Sequence, residues 1–355
     1  MLKRLSSREV LANLAIEWEA TLAREWLDAI RSITSAVVLK DLVAELERGN
    51  LEAAMRLLDI DADRFARFES AIVQAYNQGG QAVVGSMPAL RNPSGNKVSF
   101  GWGVRNTPGE NNLRQHAAGL VDGLVGEFLD TTRQTLADGL ARGQNPHQTA
   151  RRLVGQVNTR TRLREGGVLG NTPSVVERLN RLYLGLRSGD PEVMRAYLAY
   201  KWGNKQFDGH VKRALAEGGS VPADAVDRIV KAYSNRALLE RAKALAATET
   251  NIALAKAKTD AFQQQIDAGK LEAGDITKTW GRSISREKRQ DHLAMVGVTV
   301  PFDRPFVLPD GTQCSGPHDP SLPARHLVGC KCPAADVSID FTSQALRRYR
   351  ERTGG

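Results

Sequence analysis

Three times in the middle of the chain a helix-capping residue is followed directly by proline: Asn145-Pro146, Thr172-Pro173 and Asp190-Pro191. Such a pair marks a helix start. The cap side chain takes up a free backbone N–H, and proline supplies a helical φ where its missing N–H costs nothing. A chain punctuated in this way is mainly helical, and its apolar periodicity agrees. Leu11, Leu14, Trp18, Leu22, Trp26, Ile30 and Ile33 recur every three or four positions, the stripe of one long amphipathic helix from Ser6 to about Ile33. The same period covers 36–58, 62–84 and Leu113 to Leu140, where Gly143 ends it. From Pro222 two further helices are expected to run to about Ala268.

Two stretches break the helical pattern. Residues 86–112 are rich in Gly, Pro and Asn, with one short extended piece around Val98 to Val104, and read as a linker or hinge. After Gly269 the pattern becomes a strand over Ile276 to Trp280, a short helix capped by Ser285 and ended by Gly297, an extended piece over Val298 to Val307, a Pro309-Asp310-Gly311 turn, and a strand from Val328 to Ile339. The Gly-rich segment in RLREGGVLGNTP lacks the Lys-Ser/Thr of a phosphate loop and reads as a tight structural turn. The expected fold is mainly α, an elongated multi-helix region followed by a small α+β C-terminal module. Its expected parts are an N-terminal helical docking region over 1–85, the linker over 86–112, a helical middle domain over 113–268, the α+β module over 269–340 and a basic tail over 341–355.

Charge is unevenly spread along the 355 residues. The whole chain carries +9, but residues 1–85 hold 10 basic and 13 acidic side chains, while 86–270 hold 27 basic and 17 acidic. An acidic head before a basic middle is the pattern of a protein that docks one end on a partner and offers the other to a polyanion. Within the middle, Arg151, Arg152, Arg160, Arg162 and Arg164 precede the next acid, Glu165. They form either a solvated, salt-bridged face or a strip for the phosphates of double-stranded DNA, read without sequence preference. Trp18 and Trp26 likewise admit two readings, core side chains or an aromatic docking face. No run of eighteen apolar residues is present, so no membrane contact is expected at synthesis and the expected place of synthesis is the cytoplasm.

The three cysteines, Cys314, Cys330 and Cys332, all lie in the last part of the chain. Neighbouring members of a Cys-X-Cys pair close a strained disulfide ring but grip one ion readily. His292, Cys314, Cys330 and Cys332 are a legitimate zinc set if the fold gathers them, and His318 or His326 can replace Cys314. The competing reading has no cofactor, with the thiols as a packed corner of the module. The polar run Thr248-Glu249-Thr250-Asn251 in a helix centre needs a reason, either solvent or a basic partner for Glu249, with Arg286 and Arg289 as candidates. An enzyme centred on His292 and these arginines is the rival functional class, although no partner nucleophile or carboxylate pair accompanies them.

Three stretches together resemble a known family. They are "VRNTPGENNLRQHAAGLVDGLVGEFLDTTRQTLADGLARGQNPHQTARRLVG" followed by "GGVLGNTP", then "RAKALAATETNIALAKA", and then "SREKRQDHLAMVGVTVPFDRPFVLPDGTQCSGPHDPSLPARHLVGCKC". They are similar to the minor head, or head morphogenesis, proteins of tailed bacteriophages, of the kind typified by protein F of phage Mu. The likeness spans roughly 100–335 and carries the C-terminal signature onto Arg286, Arg289, His292, Gly297, Asp319, Pro320, Cys330 and Cys332. His318 stands where the family usually has Gly, and Cys314 is not a position at which the pattern expects Cys. The resemblance implies a low-copy virion component, assembled with the portal protein and with capsid or scaffold proteins, placed in the capsid interior near the portal vertex and able to contact packaged DNA. It implies a structural part in the signature for Arg286, Arg289 and Asp319, and for Glu249 in the Thr-Glu-Thr helix.

Overall fold

The computed structural model describes residues 5–91, 95–103, 107–201, 203–283 and 289–340. Helices make up most of them, joined to a C-terminal module of short antiparallel strands. In chain order come α1 (Ser7–Ala36), α2 (Leu39–Glu47), α3 (Leu51–Arg56) and α4 (Ala66–Ser86), then a hairpin of β1 (Leu90–Arg91) and β2 (Lys97–Val98). Next are α5 (Thr107–Ala141), α6 (Pro146–Val154), a hairpin of β3 (Gln156–Val157) and β4 (Arg164–Glu165), α7 (Pro173–Ser188), α8 (Pro191–Leu198), α9 (Asp208–Glu217) and α10 (Ala223–Asp267). The module holds β5 (Ile276–Thr279), α11 (Gln290–Ala294), β6 (Thr299–Pro301), β7 (Phe306–Val307), β8 (Gln313–Cys314), α12 (Ala324–Leu327) and β9 (Asp336–Ile339).

The cap–proline pairs do start helices. Asn145 Oδ1 accepts from His147 N at 2.9 Å, and Asp190 Oδ1 from Glu192 N at 2.9 Å. Thr172 makes no such cap bond, its hydroxyl pairing with Ser174 Oγ instead. Three expectations need correction. The region after Pro222 is one helix of 45 residues, α10, where two were expected. The strand near the C-terminus begins only at Asp336, because Gly329 at φ 68° and Pro333 keep the Cys330–Cys332 segment out of the ladder. Arg289 takes the N-cap position of α11; Ser285 and the tail over 341–355 lie outside the described residues.

The chain divides into two compact units that cut across the regions expected from sequence. One comprises Met1–Leu22, Glu69–Ala117 and Lys243–Gly355, the other Ala23–Phe68 and Ala118–Ala242. Residues 1–85 are therefore shared between the two units and do not form a compact unit of their own.

In the first unit Leu11, Val83, Met87, Leu254, Ala261, Phe262, Ile276 and Phe302 close one core. Helix α4 comes near its neighbours through Gly79 and Gly80. A Cβ on Gly80 would lie 2.4 Å from the Trp102 ring, and one on Gly79 2.8 Å from Leu254. The three-stranded sheet has the order β6-β5-β9, all antiparallel, with Thr279 facing Thr299 on one side and Asp336 on the other. A second core, of Trp280, Met295, Phe306, Leu308, Cys314, Leu322, Cys330 and Cys332, fills the module.

The second unit centres on Trp26, Phe65 and Phe128. Arg241 lies over both Trp26 and Phe128, at 5.8 and 5.2 Å, and its guanidinium bonds Glu127 at 2.8 Å and the Gly170 carbonyl at 3.0 Å. Gly170 sits at φ 84°, and a Cβ there would meet Leu238 at 2.9 Å. The Gly-rich segment is thus a structural turn, as its spacing implied.

Candidate metal centre

His292, Cys330 and Cys332 come together in the module, all buried, with their ligand atoms within 4.8 Å of one another. Each is held by local structure. His292 lies on the single turn α11, whose N-cap residue Arg289 also bonds the Val328 carbonyl through its guanidinium and so ties the helix to the cysteine loop. Gly329 reverses that loop in the left-handed region that suits glycine, and its N–H reaches Thr248 Oγ1 at 3.4 Å. The Cys332 N–H donates to Cys330 Sγ at 3.4 Å, which brings both sulfurs to one side. Each sulfur then lies 3.5 Å from His292 Nδ1. The imidazole is fixed edge-on by Trp280, at 5.3 Å between centroids, and by stacking on His326 at 5.4 Å.

The electrostatics are those of a thiol–thiolate pair. The Cys332 thiol donates to Cys330, which lowers the pKa of Cys330 and raises that of Cys332; burial opposes the first shift and adds to the second, and His292 favours the Cys330 thiolate further. Such a pair binds a cation by giving up one shared proton. Cys314 does not join it. Its place on β8, opposite Phe306, buries it in the module core, and burial pushes its thiol up to about 11. The fourth member expected from sequence is therefore a packed thiol. Of its two possible replacements, His318 is buried with Nε2 on the Cys332 carbonyl at 2.7 Å and its Nδ1 unpartnered. His326 is drawn to Asp310 at 2.9 Å, and Asp310, which also accepts from Arg325, has its pKa held down by both.

Asp319 and Arg289 hold local structure in the module, and Glu249 does so on α10. Asp319 accepts from the N–H and hydroxyl of Ser315 at 2.6 and 2.7 Å, and from those of Ser321 at 2.9 and 2.7 Å. Burial pushes its pKa up, but these bonds outweigh burial and the net shift is down. Glu249 is buried on α10 and does have a basic partner, but the partner is His116, whose Nε2 lies 2.8 Å from it. Arg289 is engaged at Val328, and Arg286 lies outside the described residues.

The hydrogen bond to Glu249 raises the His116 pKa, with burial opposing. A raised histidine pKa contributes stability that is complete below the unfolded value and is lost as pH rises through the folded one. Glu249→Gln is therefore expected to destabilise the protein by about 1–2 kcal/mol at pH 5.5 and by less at pH 8.5, measured by urea unfolding at both. An equal loss at the two pH values would remove the charge from this account.

The arginine strip resolves into two groups. Arg152 bonds Asn180 and Gln144 and lies over Tyr183, and Arg164 bonds the carbonyls of Gly155 and Val37, so both hold structure. Arg151, Arg160 and Arg162 are exposed, the last two on the tip that joins β3 to β4. Of the two tryptophans only Trp26 is a fully buried core side chain. Trp26 has 0% exposure, and Trp18 is half-buried with its indole N–H on Gln78 at 2.6 Å.

Sequence reasoning passed over two buried lysines. Lys258 lies four residues after Leu254 and three before Ala261 on the buried stripe of α10, and Lys278 sits on β5 between the inward residues Ile276 and Trp280. A lysine in phase with an apolar stripe was the available signal. Among the described residues no helix is long and apolar enough to cross a membrane. Set against protein-family models, curated proteins and solved structures, the chain matches none.

Proposed function

We propose that the chain is a minor capsid, head-morphogenesis protein of a tailed bacteriophage, assembled with the portal protein during procapsid formation, and that one zinc ion on His292, Cys330 and Cys332 closes its C-terminal module. The observation that carries this reading is the use made of the signature residues. Arg289 binds a carbonyl, Asp319 ties two serines, His292 and the cysteines face one another, and Glu249 holds His116. These residues maintain a shape, which is the task of an assembly component.

Zinc is favoured by the donor spacing. Zn–S bonds of about 2.3 Å and a Zn–N bond of about 2.05 Å at the tetrahedral angle put nitrogen and sulfur roughly 3.6 Å apart. Both observed separations are 3.5 Å. Two soft thiol sulfurs with one imidazole suit zinc better than magnesium or calcium, which prefer oxygen.

Double-stranded DNA, bound without sequence preference, is the proposed partner of Arg151, Arg160 and Arg162. Two measurements test the proposal together. Co-expressed with the portal protein of the same phage, the chain is expected to co-purify and to enter procapsids; a freely separating pair would sink the assembly role. Each phosphate contact steepens the log–log fall of DNA affinity with salt by about 0.9, so replacing the three arginines by alanine is expected to flatten that slope by roughly two to three units. An unchanged slope would assign this basic face to protein instead.

A further inference from the structure

The first unit contains a cavity of about 300 Å³ between the C-terminal third of α10, β5 and the loop around Asp319. Lys256, Lys258 and Lys278 lie on its wall, with Asp260, Asp319 and His318. The two carboxylates are already engaged. Asp260 accepts from Lys256 Nζ at 2.9 Å and from the Tyr76 hydroxyl at 2.6 Å, and Asp319 is held by its serines.

Lys258 has one counter-charge, partly exposed, and Lys278 has none within ion-pair distance among the described residues, although both lysines are more than nine-tenths buried. The ion-pair partner of Lys258 is Asp336 at 3.7 Å, a carboxylate 41% exposed that Arg8 also approaches at 3.6 Å. Lys278 donates to a neutral acceptor, the Ser315 carbonyl at 2.9 Å, and lies over the Phe302 and Phe306 rings. Among the described residues no carboxylate lies within ion-pair distance of Lys278. A buried ammonium has three donors and demands a compensating charge.

We propose that this cavity is a binding site for a small phosphate-bearing anion, held between the ammonium groups of Lys258 and Lys278. A dianion there supplies the counter-charge that Lys278 lacks and adds to the one Lys258 shares with Arg8, and its oxygens accept the ammonium N–H groups that the protein leaves unused. The space exceeds that of inorganic phosphate and falls at the lower end of small-ligand sites, which suits a phosphomonoester with a short organic group. Burial lowers the Lys258 pKa to about 8, so the amine is still mainly charged at neutral pH. The inference concerns a different site from the zinc centre and does not depend on the assembly role.

The test uses the full chain at pH 7 and constant ionic strength, with chloride as the reference anion. Inorganic phosphate and glycerol 3-phosphate are titrated separately, with citrate as a polycarboxylate control, and thermal stability and ³¹P line width are followed. A saturable response to phosphate or to the phosphomonoester is expected, tighter for the one that is the natural source. Lys258→Met and Lys278→Met are each expected to weaken it about tenfold or more. In the absence of anion, Lys258→Met is expected to melt no lower than the wild type, because it removes an under-compensated buried charge. A lysine that served only as the partner of Asp336 would give the reverse, a lower melting temperature and no anion response to lose. The proposal is overturned if wild-type protein shows no saturable phosphate response, if citrate alone binds, or if the response survives in Lys278→Met. The wild-type titration decides the matter even if a methionine variant fails to fold.

Discussion

With Cys330 and Cys332 both replaced by serine, the module over 276–339 is expected to lose the proposed zinc and most of its amide exchange protection, while the second unit stays folded. The two sulfurs are buried in the module core and share the imidazole of His292 with no exposed ligand beside them. Structural zinc in small domains contributes apparent binding free energies of about 10–16 kcal/mol, most of which appears as folding free energy. The core of this module is small, built around Trp280 and Phe306, so its hydrophobic burial does not compensate for such a loss. Native mass spectrometry of the wild type is expected to give one zinc per chain, removed by a strong chelator together with the near-ultraviolet signal of Trp280. Cys314→Ser is the control, expected to retain the metal and to cost only about 1–3 kcal/mol for a buried hydroxyl. Protein that carries no metal, ignores chelator and melts unchanged in the double variant would eliminate the zinc centre. Loss of metal in Cys314→Ser would restore the four-ligand set.

Much of the helical frame was legible because it is written locally. Asn145 and Asp190 carry their caps two or three residues from the N–H groups they bind, and α1 shows its stripe over about six turns. What could not be read depends on partners far along the chain. Ser234 and Asn235 are poor helix formers, yet α10 runs through them because Ser234 donates to the Gly167 carbonyl and Asn235 accepts from the Gly166 N–H. Glu249 was recognisable as needing a basic partner. That the partner is His116, 133 positions away, follows only from the packing of α5 with α10 within the first unit. At the metal centre, Cys330 and Cys332 were visible as a pair, but the exclusion of Cys314 is decided by its register opposite Phe306 on β7. The basic strip shows the same limit, since charge alone does not separate Arg164, bonded to carbonyls of Gly155 and Val37, from Arg160 at the exposed tip.

Trp26→Ala is expected to lower the stability of the second unit by about 3–5 kcal/mol, the usual cost of deleting a fully buried large aromatic. The indole has no exposed surface, meets Phe128 edge-on at 6.4 Å and lies under the guanidinium of Arg241. Its removal opens a cavity and takes one ring from beneath a cation that Glu127 and the Gly170 carbonyl hold in place. Trp26→Phe is expected to cost clearly less, because it keeps an aromatic face and removes an indole N–H that is buried without a partner. Urea unfolding, with exchange protection read separately over residues 23–68 and 118–242, measures both. A docking tryptophan would behave in the opposite way, leaving stability intact while partner capture fell. The same burial determines what truncation does. Deleting residues 1–85 removes Leu11 and Val83 from the core of the first unit and Trp26, Ile33 and Phe65 from the second. An aggregated or unfolded remainder is therefore expected. A soluble, cooperatively folding 86–355 would show that the N-terminal helices are dispensable to both cores and would return them to the role of a separable docking arm.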